Sequence, residues 1–496
     1  MTRAPLTALA AVGVLSVLAC VARRGGAADL VVTNAAIWTG DPAAPAAQAL
    51  AIIDDRIVDV GTSAEIDRWR GESTQLLDAG GRRVVPGFND AHVHFAAGGG
   101  QLASVDLRDA TSAREFARRI VERARSRPGE WILGGRWDDR RWTPAEPPTR
   151  DLIDDGTNGT PVFVTRADGR AALANAAALG RAGITERSPN PAGGRIARDA
   201  RGFPTGLLEG TAMEAVARVV PKPTADERRQ TIQRALDHAA SLGVTSAHDM
   251  DPDPGDVAVY AELAERGVLT TRLYALSNES RWFEQARLGI RRAFGGAALR
   301  LGGIAGDAAG GDEMLTRLMA ADHAGLQLCI NADANAAPAV DLFASVVRAN
   351  GERDRRMRIE HAERLSTGQV ERAAGLGIVA SVQPTSAADV RLLQRLVDRR
   401  VPVALGTDWP SASLNPMLGL AAAARAIPIA DAMAAYTRGS AFAEFQDTKK
   451  GVLAPGALAD LVVLSDDVLT LPVDRIAAVT AVHTIAGGKI VHQRRP

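Results

Sequence analysis

Two imidazoles stand two residues apart in the segment Pro86-Gly87-Phe88-Asn89-Asp90-Ala91-His92-Val93-His94. Alternate residues of an extended chain face the same side, so His92 and His94 project together from one edge. Two histidine nitrogens on a rigid edge are half of a tetrahedral or five-coordinate site for a divalent cation. A bare His-x-His also arises as two structural histidines; the Pro-Gly-Phe lead-in makes this one more specific. Further along, His361 in Arg358-Ile359-Glu360-His361-Ala362-Glu363 and Asp408 in Gly406-Thr407-Asp408 offer the same donor chemistry. Taken alone, His361 reads as a ligand or a core histidine, and Asp408 as a ligand or a helix N-cap.

Elements must hold these donors together. Strand-like runs separated by helical or turn-rich stretches occur at 85–95, 244–250, 271–277, 299–304, 327–331, 358–361, 378–383 and 403–408. Amphipathic stretches at 225–242 and 368–376 lie between some of them. Eight strands in β/α alternation predict an α/β fold, a (β/α)8 TIM-like barrel over 86–446. The stretch 107–223 is too long for one crossover and reads as a large insertion over the barrel mouth. It holds Trp131, Trp137 and Trp142, which either pack the insertion or touch substrate. Short strands with turn signals at 29–85 and 447–496 predict a small β-sandwich built from both termini.

The bulk numbers remove several function classes. Lys+Arg and Asp+Glu both total 58 in 496 residues, so the formal net charge is zero, which argues against a nucleic-acid binder held by a basic face. Two cysteines, Cys20 and Cys329, give no disulfide framework. Arg3 followed by the apolar run 6–20 and then small residues predicts a signal peptide over 1–28. Val17-Leu18-Ala19-Cys20 resembles a bacterial lipobox, which would lipidate Cys20; cleavage near Ala27-Ala28 is the alternative. The expectation is an exported bacterial protein, periplasmic or a membrane-anchored lipoprotein, with Cys20 as its one tie to the membrane. A homo-oligomer is left open.

The segment around His92 resembles the first barrel strand of the amidohydrolase superfamily. The chain is similar, more narrowly, to its amidohydrolase-3 group, which includes YtcJ-like and N-substituted formamide deformylase-like proteins. Supporting segments run almost end to end. They are Leu242-Gly243-Val244-Thr245-Ser246 with His248-Asp249, the Arg358–Glu363 hexapeptide, Ser381-Val382-Gln383-Pro384-Thr385, Gly406-Thr407-Asp408 and Gly487-Gly488-Lys489-Ile490-Val491. Pro204-Thr205-Gly206-Leu207-Leu208 matches inside the insertion. The resemblance implies metal ligands at His92, His94, His361 and Asp408. Asp408 would also take a proton from water that the metal activates, and His361 would be a ligand or a substrate-polarising group. It further implies a divalent metal, zinc by donor type, and a small-molecule substrate with an amide, formamide or cyclic amide C–N bond.

The chain departs from the group's pattern at telling positions. The bridging lysine of the fourth strand is Ala305, and the fifth-strand histidine is Asn331. Arg170 and Ser386 replace other customary residues. Alanine cannot bridge two metals, and a neutral amide oxygen is a poor zinc ligand. One ion per chain is therefore expected, on His92, His94 and Asp408, and a non-catalytic ligand-binding relative is the competing reading. Asp307, Asp333 and Glu209 are candidate replacement carboxylates, with Glu209 read as an insertion surface residue. His248 is expected in or behind the pocket, His238 and His323 on exposed helix faces, and His483 and His492 in the sandwich.

Overall fold

The computed structural model describes residues 26–308, 311–332, 336–387 and 390–494. The expected signal up to residue 25, with Cys20, and the carboxylate Asp333 lie outside the described residues. Among the described residues no helix is long and apolar enough to cross a membrane.

Eight parallel strands follow one another around a barrel: β1 (Phe88–Val93), β2 (Val244–Met250), β3 (Arg272–Asn278), β4 (Leu299–Asp307), β5 (Gln327–Asn331), β6 (Arg358–Glu360), β7 (Val379–Val382) and β8 (Val403–Leu405). Each pairs in parallel with the next, as Ala247 with Leu273 and Ile330 with Ile359. Every residue of β1 and β2 is buried, as parallel strands are when helices cover the outside and side chains fill the inside. The helix Ala225–Ser241 shows how the sequence builds that cover. Thr224 and Glu227 form a reciprocal capping box at its start, and Ile232, Ala235, Leu236 and Ala239 make its buried stripe.

The seam where β8 meets β1 is not a regular ladder; a single bridge joins Val93 and Trp409. Two backbone hydrogen bonds, Asp408 N to His92 O (2.8 Å) and His94 N to Trp409 O (2.7 Å), cross it. The buried Asp90 carboxylate adds to them by accepting from Thr407 N (3.0 Å) and Thr407 Oγ1 (2.7 Å).

Both ends of the chain contribute to the sandwich. One sheet runs Arg56–Gly61, Ala49–Ile53, Leu30–Thr33, Gln75–Asp78. The other runs Lys489–Gln493, Ala481–Ala486, Leu461–Leu464, Arg83–Pro86, Ala36–Trp38, Ala46–Ala47, so C-terminal strands sit directly against N-terminal ones. Leu30, Val32, Leu50, Ile52, Val84, Leu461, Val463 and Ile485 fill the space between them. Arg272 of β3 fastens the barrel to this body through a two-pronged, buried ion pair with Asp460, at 2.6 and 2.9 Å.

The insertion carries its own sheet, in the order Gly194–Arg198, Pro204–Gly210, Ala171–Ala174, Phe163–Arg166, Gly134–Trp137, Val105–Asp106. Trp137 and Trp142 pack with Phe116 in its core, ring centroids 5.3 to 5.9 Å apart, and Trp131 is half-buried beside Arg181. These rings hold the insertion together and do not line the cleft described below. Arg136 donates to Pro410 O (2.9 Å), which ties the insertion to the loop after β8.

Several strands end earlier than the sequence pattern predicts. The apolar run 85–95 is two strands in two sheets, broken at Gly87, where a Cβ would lie 2.0 Å from Thr245 Oγ1. β6 stops at Glu360 and β8 at Leu405, so His361 and Asp408 stand just past their strands. His238 is half-buried against the Trp409 ring, 5.7 Å between centroids, and not on an exposed face; His323 is exposed.

Candidate metal centre

A cleft of about 630 Å³ opens at the C-terminal ends of the barrel strands. His92, His94, His361 and Asp408 are among its lining residues, with Asp251, Ala305, Asp307, Cys329 and Asn331. The ligand atoms of His92, His361 and Asp408 all lie within 4.8 Å of one another. Asp408 Oδ1 is 3.8 Å from His92 Nε2 and also 3.8 Å from His94 Nε2. His94 stands on the solvent side of this group, its side chain 42% exposed against 5% for His92.

His361 and Asp408 reach the cleft from left-handed backbone, with φ of 55° and 58°. Asp251, on the same cleft wall just after β2, has φ of 47°. Each such residue costs on the order of 1–3 kcal/mol and persists only where its surroundings hold it. At the ends of β6 and β8 this turn accompanies a donor that lines the cleft.

The far side of each histidine decides which nitrogen faces the cleft. His92 Nδ1 is 2.9 Å from Glu360 Oε2, and His361 Nδ1 is 3.1 Å from Glu363 Oε1. His94 Nδ1 is 3.0 Å from the Met250 carbonyl. Burial pushes the Glu360 carboxyl up, but the Arg358 guanidinium and the His92 hydrogen bond outweigh it and hold the group at about 2. Glu360 is therefore a carboxylate that can only accept, and a backbone carbonyl can only accept too. His92 and His94 must each place their proton on Nδ1, which leaves the Nε2 lone pair toward Asp408. Glu363 stands behind His361 in the corresponding place. Burial, and next the neighbouring His92, lower the pKa of His94, which favours the neutral ring.

This donor set fits a divalent cation: imidazole nitrogens backed by acceptors, plus one carboxylate. The sequence pattern named His92, His94, His361 and Asp408, and all four line the cleft. The tight trio, however, contains His361 where His94 was expected. Glu360, Glu363 and Arg358 went unread as working residues. A signal for the two glutamates was available, since Glu-His-x-Glu sets a carboxylate on either side of the histidine.

The departures divide by place. Ala305 and Asn331 are on the cleft wall, so the two positions where the resemblance implies a lysine and a histidine belong to the site itself. Arg170 and Ser386 are exposed and outside the lining. Asp307 lines the cleft and is exposed, whereas Glu209 pairs with Arg195 at 2.5 Å within the insertion. His248 lies beneath the cleft, fully buried, between Arg358 and Glu444.

Residues 75–492 match the amidohydrolase family. The chain is 34% identical to the protein LONG AFTER FAR-RED 3 of Arabidopsis thaliana, over 89% of this chain and 88% of that protein. It is 25% identical to N-substituted formamide deformylase of Arthrobacter pascens, over 94% and 98% of the two chains. A metal-dependent hydrolase from Pyrococcus horikoshii, described as uncharacterized, shares the fold with a TM-score of 0.73 at 23% identity, over 90% of this chain and 99% of that one. With a match running from the first sandwich sheet to the last strand, and a histidine-and-carboxylate cleft at the mouth of its barrel, this chain belongs to the amidohydrolase family.

Proposed function

We propose that the chain is a metal-dependent hydrolase of a non-peptide C–N bond in a small amide, formamide or cyclic amide. The observation that carries this reading is the convergence of His92, His361 and Asp408 donor atoms within 4.8 Å on a cleft floor. Those three residues would hold one divalent ion, with His94 beside Asp408 as a further donor. Such an ion supplies Lewis acidity and draws the pKa of water from 15.7 toward roughly 7. The chain's own groups do the rest. Asp408 accepts the proton of the attacking water and returns it to the leaving nitrogen, as a carboxylate in hydrogen-bond reach does in general acid–base catalysis. His92 and His94, with Nδ1–H committed to Glu360 and Met250 O, present lone pairs to the cleft. That suits them to ligation and not to donating a hydrogen bond to the substrate carbonyl. The likeness to N-substituted formamide deformylase supports a formamide-type bond as the first substrate class to try.

Ala305 and Asn331 on the cleft wall favour a second reading, a binding protein that kept the cleft and lost turnover. One experiment separates the two. Metal content of the purified chain is measured by elemental analysis, and amine release is followed on N-substituted formamides and cyclic amides. One ion per chain with amine release supports the hydrolase, and Asp408→Asn should then lower release at least about 10²-fold. An ion with substrate binding but no release supports the second reading. No ion in the folded chain overturns the metal centre.

A further inference from the structure

Beneath the cleft, the barrel encloses four charged or titratable groups that the proposed chemistry does not use, Arg358, His248, Glu444 and Lys450, in a row that leads to Glu360 and His92. Arg358 on β6 is fully buried. Its Nη2 donates to Ala91 O (2.6 Å), its Nη1 is 2.7 Å from His248 Nδ1, and its Nε is 2.8 Å from Glu360 Oε1. The last is an ion contact and not an aligned hydrogen bond. His248 Nε2 is 3.1 Å from Glu444 Oε1. Glu444 also accepts from Asn89 Nδ2 (2.9 Å) and pairs with Lys450 Nζ (2.5 Å), which donates on to Ser246 Oγ.

Donor and acceptor rules leave this row one arrangement. A guanidinium only donates and a carboxylate only accepts. His248 must therefore offer its Nδ1 lone pair to Arg358 and its Nε2–H to Glu444. Glu360, faced by Arg358 on one oxygen, takes Nδ1–H from His92 on the other. The protons along Lys450, Glu444, His248, Arg358, Glu360 and His92 are thus set from the barrel floor to the cleft.

Stability alone does not explain such a row. Burying an ion costs several kcal/mol, and well-packed apolar residues in its place are often neutral or better. The row ends on the residue whose lone pair faces the cleft, and Arg358 also grips the carbonyl of Ala91, the residue before it. We propose that Arg358 is a positioning residue for His92: it anchors Glu360 and the Ala91 carbonyl so that His92 Nε2 is held toward Asp408, with Lys450, Glu444 and His248 bracing the guanidinium from below. The proposal rests on the metal-centre reading for its purpose, and its test does not need an ion to be present.

The test uses the full chain labelled with ¹⁵N. In the metal-free protein, the imidazole ¹⁵N shifts of His92 report which nitrogen carries the proton. Wild type should show the Nδ1–H form alone. Arg358→Met should show a mixture of both forms and bind cobalt(II) on the order of 10–100-fold more weakly, the range seen when a partner behind a metal ligand is lost. The visible spectrum of the cobalt(II) complex should change with it. Arg358→Lys keeps the charge beside Glu360 but cannot reach all three partners; it should fold and show a minor second form. Should the methionine variant not fold, the lysine variant decides. A folded variant in which His92 remains wholly Nδ1–H and cobalt(II) affinity is unchanged overturns the proposal. Should wild type bind no cobalt(II), the metal centre fails, while the shifts in the metal-free protein still decide the positioning claim.

Discussion

Buried carboxyls that make few ionic contacts mark the residue scale as clearly as the cleft donors do. Asp249 is enclosed between Phe95 N (2.7 Å) and Tyr260 OH (2.7 Å), and burial raises its pKa to about 7. Burial raises Asp90 to about 7 as well, against hydrogen bonds from Thr407 and His92 N. In the unfolded chain such groups lose their proton near pH 3.9. The native state therefore holds protons that the unfolded state has released between about pH 4 and pH 7. Stability from these groups is whole below that window and is lost as pH rises through it, by on the order of a few kcal/mol for each. Asp249→Asn, a neutral near-isostere, should flatten the decline; melting temperatures of the metal-free protein from pH 4.5 to 8 check this, and parallel curves would contradict it. Of the site itself, His92 and His94 are legible because alternation along a strand is a local rule. Glu360 is not legible as the partner of His92, because it lies 268 residues away and no local spacing joins the two.

At the scale of elements, the cleft depends on where strands stop and on what packs behind the loops that follow. The helix Phe95–Ala103 presses Gly98 against the Trp409 ring so closely that a Cβ there would lie 2.4 Å from ring carbons. Trp409 follows Asp408, and its ring is packed by Phe95 and His238. Gly98→Ala should cost about 1–3 kcal/mol by overpacking. It should also weaken ion binding, because the displaced ring carries Asp408 with it. Calorimetry and an ion titration check both parts; an unchanged affinity would show that the loop after β8 moves independently of its tryptophan. The order of alternating elements is readable from hydrophobic runs, and the eight barrel strands fall where those runs do. Their ends are not readable. The left-handed residues at His361 and Asp408 are not glycine; Asp and His enter that region more readily than most types, but they are as common elsewhere, so type alone does not mark the turn.

The whole molecule is joined by contacts between segments far apart in sequence. The Arg272–Asp460 pair links β3 to the C-terminal sandwich, and Asp460 also accepts from Gly487 N at 2.8 Å. Arg272→Met should cost about 3–5 kcal/mol, because it leaves a buried carboxylate without its cation. Arg272→Met with Asp460→Leu should recover most of that, which denaturant unfolding of the two variants would check. That both termini share one sandwich is legible because strand character recurs at the two ends, whereas the partner of a buried arginine is not. The seam between β1 and β8 gives the cleft a mechanical side. There two backbone hydrogen bonds and the Asp90–Thr407 contacts stand in for a full ladder, and His92 and Asp408 face each other across it. A cation gripped by both would act as a rivet, so that filling the cleft also stiffens the barrel's weakest seam. Amide deuterium uptake at His94 and Asp408 should slow when zinc is added and quicken in chelator, while Val32 and Val463 in the sandwich keep their pace. Equal uptake in both conditions would show a seam that is as stiff without its rivet.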